Sequence, residues 1–348
     1  MTNLSSDLTV SAAMHPDDGA LRCDGATTTY SALAGDVARF ADYLVDSGMK
    51  PGDRVGVMLP NRPDFVAAFY GVLQAGGVVV PMNPAQSARA VEYYLTITEA
   101  RMVFFANRRA AATTVAALNA GAQPIRVGKH GIAPLAAHFA GHAQPVSRAA
   151  DDIAVLLPTP GASGPPTIVQ LTHADFISNR ALTGQGLLGV GHHDVVMACL
   201  PLFEGFGMTC ALAAAMSAGA TLVLPLRFHP RTALETIADE RVTLFEGASS
   251  IYAAMLRVAD AQDLEVDSLR VCTSVGPPLA AEVLHRFEDR FGCIVLEGYG
   301  LWQISPVGPP QHRGAVRTLG SIETATSAEQ VEDGSFLTEE RHEERKKT

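Results

Sequence analysis

Charge is scarce in this sequence, and what there is leans negative. Only 18% of the 348 residues are charged, with 26 Lys and Arg against 36 Asp and Glu, for a net charge of −10. The basic surface needed to grip a phosphate backbone is missing, which excludes a general nucleic-acid binder. Any phosphate site has to rest on backbone amides and local geometry rather than on net charge. Aromatic residues are few, 6%, with a single tryptophan. No apolar run reaches the ~18–20 residues of a membrane span. The longest, residues 211–226, is broken by Ser217, Gly219 and Pro225. Residues 1–15 have no basic segment followed by an apolar stretch, so no secretory signal is expected. The five cysteines (Cys23, Cys199, Cys210, Cys272, Cys293) are scattered, with no C-x-x-C pair. Such a set reads as reduced core thiols of a cytoplasmic protein.

What is present is apolar material, 47% of the chain, enough for a sizeable core. It is arranged in a βα rhythm. Residues 1–29 read as a polar lead-in with one short strand pair. Leu33, Val37, Phe40, Ala41 and Leu44 recur at helical spacing up to a stop at Ser47-Gly48. A strand follows over 54–59, a helix over 64–74, a strand over 78–81, a helix over 92–97 and a strand over 102–105. This alternation predicts a mainly parallel sheet. Residues 107–150 are alanine-rich and read as a helix, a strand and a loose connection. The rhythm resumes with strands at 153–157, 194–200, 221–224, 242–245, 269–273 and 294–297, and helices at 232–238 and 279–291. The expected organisation is a first α/β subdomain over 1–150, a second over 151–323, and a charged tail over 324–348 (TEERHEERKKT at its end).

The most informative stretch is residues 156–173, LLPTPGASGPPTIVQLTH. A strand runs into a loop of Gly, Pro, Ser and Thr, then through an apolar stretch into a helix near His173. Glycines turn backbone amides toward a ligand and hydroxyls add donors, which makes an anion cradle. Gly and Pro at this density also make an ordinary surface turn, so the loop alone leaves both readings open.

Its neighbours narrow the choice. The segment resembles, without a gap, the phosphate loop of the AMP-forming acyl-adenylate family, L-L-Y-T-S-G-T-T-G-x-P-K-G-V-x-L-T-H. Leu156, Leu157, Thr159, Gly161, Gly164, Pro166, Val169, Leu171, Thr172 and His173 match. Five further pieces fall in family order. KPGDRVGVMLP (50–60) with FYGVLQAGGVVV (69–80) is similar to its N-terminal half. LPLFEGFGM (200–208) resembles L-P-L-F-H-x-F-G. TLFEGASSIYAAML (243–256), SVGPPL (274–279) and EGYGLWQISPV (297–307) resemble its T-x-F-x-G-V-P-T, S-G-G-A-P-L and E-G-Y-G-L-T-E-T-S-P-V blocks. The flavour is that of fatty-acid–CoA ligases.

The resemblance implies an α/β fold, the adenylate-forming N-terminal domain with two βα-layered subdomains and mostly parallel sheets. It implies a family reaction in which an acid attacks the α-phosphate of ATP, pyrophosphate leaves, and coenzyme A captures the acyl-adenylate. ATP, Mg²⁺ and CoA are the implied cofactor and co-substrates, and a fatty acid or acyl-adenylate the small-molecule partner. It assigns nucleotide binding to Thr159, Gly161, Ser163, Gly164, Gly276, Pro277, Pro278, Gly298, Tyr299 and Gly300, with Tyr299 against the adenine. It assigns the acyl site to Phe203, Phe206, Gly247 and Ser250. Tyr299 also reads as a tyrosine packed in a turn, and Glu246 as either lining the acyl site or facing solvent.

The departures fall on the chemistry. The family's loop lysine is Thr167 here, and the glycine after it is Ile168. Ala162 and Pro160 replace a threonine and a serine, and Pro160 also removes a backbone donor. Trp302 stands at a phosphate-contacting threonine and reads either as a plug of the cleft or as an ordinary buried aromatic. Gln303 stands at the glutamate that helps hold Mg²⁺, and an amide oxygen is the weaker ligand for a hard dication. Glu204 replaces the histidine of L-P-L-F-H, placing a carboxylate near an acid substrate or in solvent. No residue is expected to bind a metal: His192-His193, at i, i+1, read as side chains pointing apart in a polar loop. The family pattern runs to residues 313–320 (RGAVRTLG) and is lost after Glu323, so the family's C-terminal lid is expected to be absent or supplied by a partner. The expected activity is that of a weak or inactive fatty-acid–CoA ligase-like protein. The alternatives are a non-catalytic acyl-, nucleotide- or partner-binding protein and a truncated product with little function.

Overall fold

A computed structural model describes residues 3–159, 166–259 and 266–298. Its strands are β1 (Gly19–Cys23), β2 (Ala26–Thr29), β3 (Arg54–Met58), β4 (Val78–Pro81), β5 (Met102–Phe105), β6 (Gln123–Arg126), β7 (Ile153–Thr159), β8 (Thr167–Thr172), β9 (Val195–Ala198), β10 (Thr221–Val223), β11 (Leu244–Ala248), β12 (Val271–Val275) and β13 (Ile294–Gly298). They form two sheets, ordered β6-β5-β3-β4-β7-β8 and β13-β12-β11-β9-β10-β1-β2. All pairings are parallel except the end pairs β7–β8 and β1–β2. The mainly parallel α/β reading therefore holds.

Helices cover both faces of each sheet, as parallel strands require. Helices Tyr30–Asp46 and Pro63–Gln74 lie with segment 207–218 in a central core shared by the two sheets, built on Tyr30, Phe40, Phe65, Phe69, Met208 and Met216. Helix Tyr30–Asp46 starts where the Thr29 hydroxyl accepts the Ala32 amide, an N-cap that satisfies one orphan donor. Helix Pro63–Gln74 opens with proline, whose missing N–H is no loss at that position. It is buried from Phe65 to Gln74 because it sits between the sheets. A Cβ at Gly71 would come within 2.7 Å of the Phe40 ring, so a glycine lets these two helices approach. Outer cores lie beneath helices Ala88–Ile97 and Ala110–Asn119 on the first sheet, and beneath Pro230–Asp239, Ser249–Ala259 and Ala281–Phe291 on the second.

Two features differ from the sequence reading. Residues before Gly19 are not merely a polar lead-in: helix Ser6–Met14 docks there. Of its large apolar side chains it buries only Leu8, with Leu4 buried just ahead of it, so its periodicity is too sparse to read. Polar contacts hold this end of the chain instead, Asn3 Nδ2 to Leu73 O at 2.6 Å and Ser11 Oγ to Met216 O at 2.7 Å. Second, the apolar stretch after the Gly-Pro loop is a strand, β8, paired antiparallel with β7. The two sheets do not follow the order of the chain. The β1–β2 pair belongs with the later strands, and the β7–β8 pair with the earlier ones. The chain changes sheet twice, and strand pattern alone carries no sign of such a crossing.

Candidate functional site

The antiparallel β7–β8 pair flanks the Gly-Pro segment on both sides. Its last register pair is Thr159 with Thr167, whose hydroxyls lie 2.8 Å apart. Thr159 is buried and Thr167 exposed. The far end is fixed by a capping box: Asp175 N donates to Thr172 Oγ1, while the Asp175 carboxylate accepts from the Thr172 amide at 2.7 Å. His173, fully buried at the start of that helix, accepts the Leu4 amide at Nδ1, 3.1 Å. Its role is structural, tying the amino-terminal helix to the β7–β8 pair. Pro160, Gly161, Ala162, Ser163 and Gly164 lie outside the described residues.

On the second sheet the carboxyl ends of β12 and β13 form a ledge. Val275 pairs with Gly298, and the chain leaves β12 through Gly276 at φ +94, a left-handed conformation suited to glycine. Among the described residues, chain neighbours aside, no atom lies within 4 Å of where a Gly276 Cβ would stand. Gly276, Pro277 and Pro278 are exposed, and the turn is held by the Leu279 amide donating to Glu297 Oε1 at 2.7 Å. An exposed flat edge of this kind can take one face of a planar ring. Tyr299, Gly300, Trp302 and Gln303 lie outside the described residues.

The expected acyl residues are brought to one region by β9 and β11. Phe203 is half-buried against the central core, Phe206 half-buried, Gly247 buried within β11 and Ser250 exposed on the first turn of helix Ser249–Ala259. The loop carrying both phenylalanines is clamped by Asn61, which donates to Leu200 O and accepts from Leu202 N, each at 2.8 Å. Glu204 is half-buried and its carboxyl is raised by burial. A cavity of about 500 Å³ opens elsewhere, at Arg22, Leu224, Arg227 and His229, and none of the expected site residues lines it.

The model of the AMP-binding enzyme family matches residues 8–332 of the chain. The chain belongs to the AMP-binding enzyme family. It is 29% identical over 338 residues to a long-chain-fatty-acid–CoA ligase of Bacillus subtilis (strain 168), covering 87% of this chain and 60% of that protein. It is 30% identical over 299 residues to a feruloyl-CoA synthase of Amycolatopsis, covering 85% and 58%. A solved structure of ATP-bound MatB from Rhodopseudomonas palustris superposes with a TM-score of 0.85 at 24% identity, over 92% of this chain and 64% of that one. The chain thus spans about 60% of the length of the relatives it matches, and its fold is that of an adenylate-forming N-terminal domain.

Within this AMP-binding fold two details differ from sequence expectation. The rings of His192 and His193 do not point apart; their centroids lie 3.5 Å from each other, and His15 stacks on His192 at 4.7 Å. Strand β11 extends past Phe245, which places Glu246 inside the sheet, 1% exposed and not facing solvent. Residues two apart share a face, so Glu246 lies on the same face as Leu244, the central core, while Phe245 is buried in the outer core on the other.

Proposed function

We propose that this chain provides the acid- and nucleotide-binding part of a fatty-acid–CoA ligase-like protein, with weak or no adenylating activity at its loop. The observation that carries this reading is Thr167. At the position of the family's lysine it puts an exposed hydroxyl, hydrogen-bonded to Thr159, at the end of the β7–β8 pair. A hydroxyl aligns a phosphate but cannot neutralise departing pyrophosphate. Losing one charge-stabilising group of this kind typically lowers rate by ~10²–10³. Nucleotide binding is supported by the exposed Gly276-Pro277-Pro278 ledge beside the β13 end. Acid binding is supported by the phenylalanine loop and by the acyl- and aryl-CoA ligases among the relatives. Coenzyme A enters as the implied second substrate. The free thiols among the described residues fit a cytoplasmic setting. The same Thr167 favours a second reading, a protein that holds an acid or nucleotide without turning it over.

The test is ATP-dependent pyrophosphate release over a panel of fatty and aromatic acids, for wild type and for Thr167→Lys. Wild type is expected near the no-protein control, and Thr167→Lys higher by roughly 10². Because Thr167 is exposed, the longer side chain has room. Wild-type turnover at the ~10 s⁻¹ of an ordinary enzyme sinks the weak-activity reading. Saturable binding of acid and ATP, with no turnover in either protein, establishes the second.

A further inference from the structure

Glu246 is unused by the reading above. It stands on β11 in register between Ala198 of β9 and Thr273 of β12, and Leu296 of β13 continues the row. In-register neighbours of parallel strands project to the same face. Here that face is the central core, because Val196, Leu244 and Val271, each two residues back, belong to it. Neither carboxylate oxygen of Glu246 has a hydrogen-bond partner among the described residues, and neither does the Thr273 hydroxyl. Among the described residues its row holds Ala198, Thr273 and Leu296 and no cation, and it acts electrostatically on the thiols of Cys199 and Cys210. Burial drives its carboxyl well above the usual carboxylate range, which favours the protonated form, able both to donate and to accept. A buried polar group left without a partner destabilises the fold that holds it. The residues that approach Glu246 also bound the segment carrying Phe203 and Phe206, since Cys199 precedes that loop and Cys210 follows it.

Resting on the acid-binding reading, we propose that Glu246, with the Thr273 hydroxyl beside it, holds a polar hydrogen-bonding group, a hydroxyl or an amine, on the tail of the acid that this protein takes. The tail would restore the partners the fold leaves out. A site built to pair a polar group rejects the analogue lacking it far more strongly than an apolar pocket rejects a methylene.

The experiment uses the full chain and acids of matched length ending in methyl, hydroxyl or ammonium, over a series of lengths. Calorimetry reads binding and pyrophosphate release reads adenylation. A hydroxyl- or amine-ended acid is expected to bind about tenfold or more tighter than its methyl-ended match. In Glu246→Leu the preference should shrink to within about twofold. Glu246→Gln separates the two sources: it keeps part of a hydroxyl preference and loses an ammonium one. Ligand-free Glu246→Leu should unfold no earlier than wild type, which rules out misfolding as the cause of any loss. Methyl-ended acids binding equally well, or a polar preference that survives Glu246→Leu, overturns the inference while leaving acid binding intact. Failure of every acid to bind overturns both.

Discussion

At the amino-terminal helix an ion pair and a hydrogen bond partner groups taken out of water, although His173 Nε2 and the Tyr70 hydroxyl have no hydrogen bond among the described residues; at the carboxyl end of β11 neither oxygen of the Glu246 carboxyl has one. Asp7 pairs with Arg180, both largely buried, and His173 takes the Leu4 amide. Glu246, buried as deeply, has no hydrogen-bond partner among the described residues, where the unpartnered Thr273 hydroxyl stands beside it in register and its charge acts on the thiols of Cys199 and Cys210. The first region spends its polar groups on joining a short helix to the body of the fold. The second leaves a carboxyl unsatisfied at the strand ends, the side of an open α/β sheet where ligands enter. A fold tolerates such a loss where function requires it.

The sharpest way to break this comparison is to make the amino-terminal region resemble β11. Arg180→Ala leaves Asp7 buried without its partner and should cost about 3 kcal/mol at pH 8, since breaking a buried pair strands a charge. Burial, opposed by Arg180, pushes Asp7 up to about 6. At pH 5 the stranded carboxyl is protonated, so the cost should be smaller there. Urea unfolding at both pH values reads this, and an equal cost at each would mean that the pair is not an electrostatic anchor.

His173 gives a comparable effect in a narrower window. Desolvation, helped by Arg148 and opposed by Asp152, lowers the ring from its usual 6.5 to about 4. Between those values the unfolded chain binds a proton that the native ring refuses, so this contribution is intact above pH 6.5 and is lost as pH falls toward 4. The loss is about 3 kcal/mol over that interval. Asp7 acts in the opposite sense, because its raised value makes the native state hold a proton that the unfolded chain releases between pH 4 and 6. The wild-type acid slope is therefore blunted. His173→Asn keeps an acceptor for the Leu4 amide and removes the titration, so stability should rise on acidification from pH 6 to 4. A variant that still loses stability there would show that another group sets the acid limit.

Legibility followed the same division. The βα rhythm was readable because periodicity is a local property of the chain. The helix Ser6–Met14 was not, since its anchors are Leu73, His173, Arg180 and Met216, far along the chain. The assignment of β1–β2 and β7–β8 to opposite sheets was hidden for the same reason. Glu246 was not readable as inward-facing, because Leu244 and Phe245 are both apolar and both faces of β11 are buried. Nor was its lack of partners, because that depends on what Ala198, Thr273 and Leu296 bring alongside.

The smallest effect sharpens the comparison at β11 itself. Tyr252, fully buried on helix Ser249–Ala259, donates to the Thr273 carbonyl at 2.6 Å. The backbone of Thr273 is thus satisfied while its side-chain hydroxyl is not. Tyr252→Phe removes one oxygen and leaves the packing with Phe245 and Phe287 in place. It should lower stability by about 1 kcal/mol, the net worth of a buried hydrogen bond plus the carbonyl left bare. Glu246→Leu, on the next strand, should move stability the other way or not at all. Opposite signs at two neighbouring residues would show that polar groups here are generally satisfied and that Glu246 stands apart. If Tyr252→Phe is neutral in thermal unfolding, buried polar groups at this strand end are cheap to strand. An unpartnered Glu246 would then no longer point to a ligand.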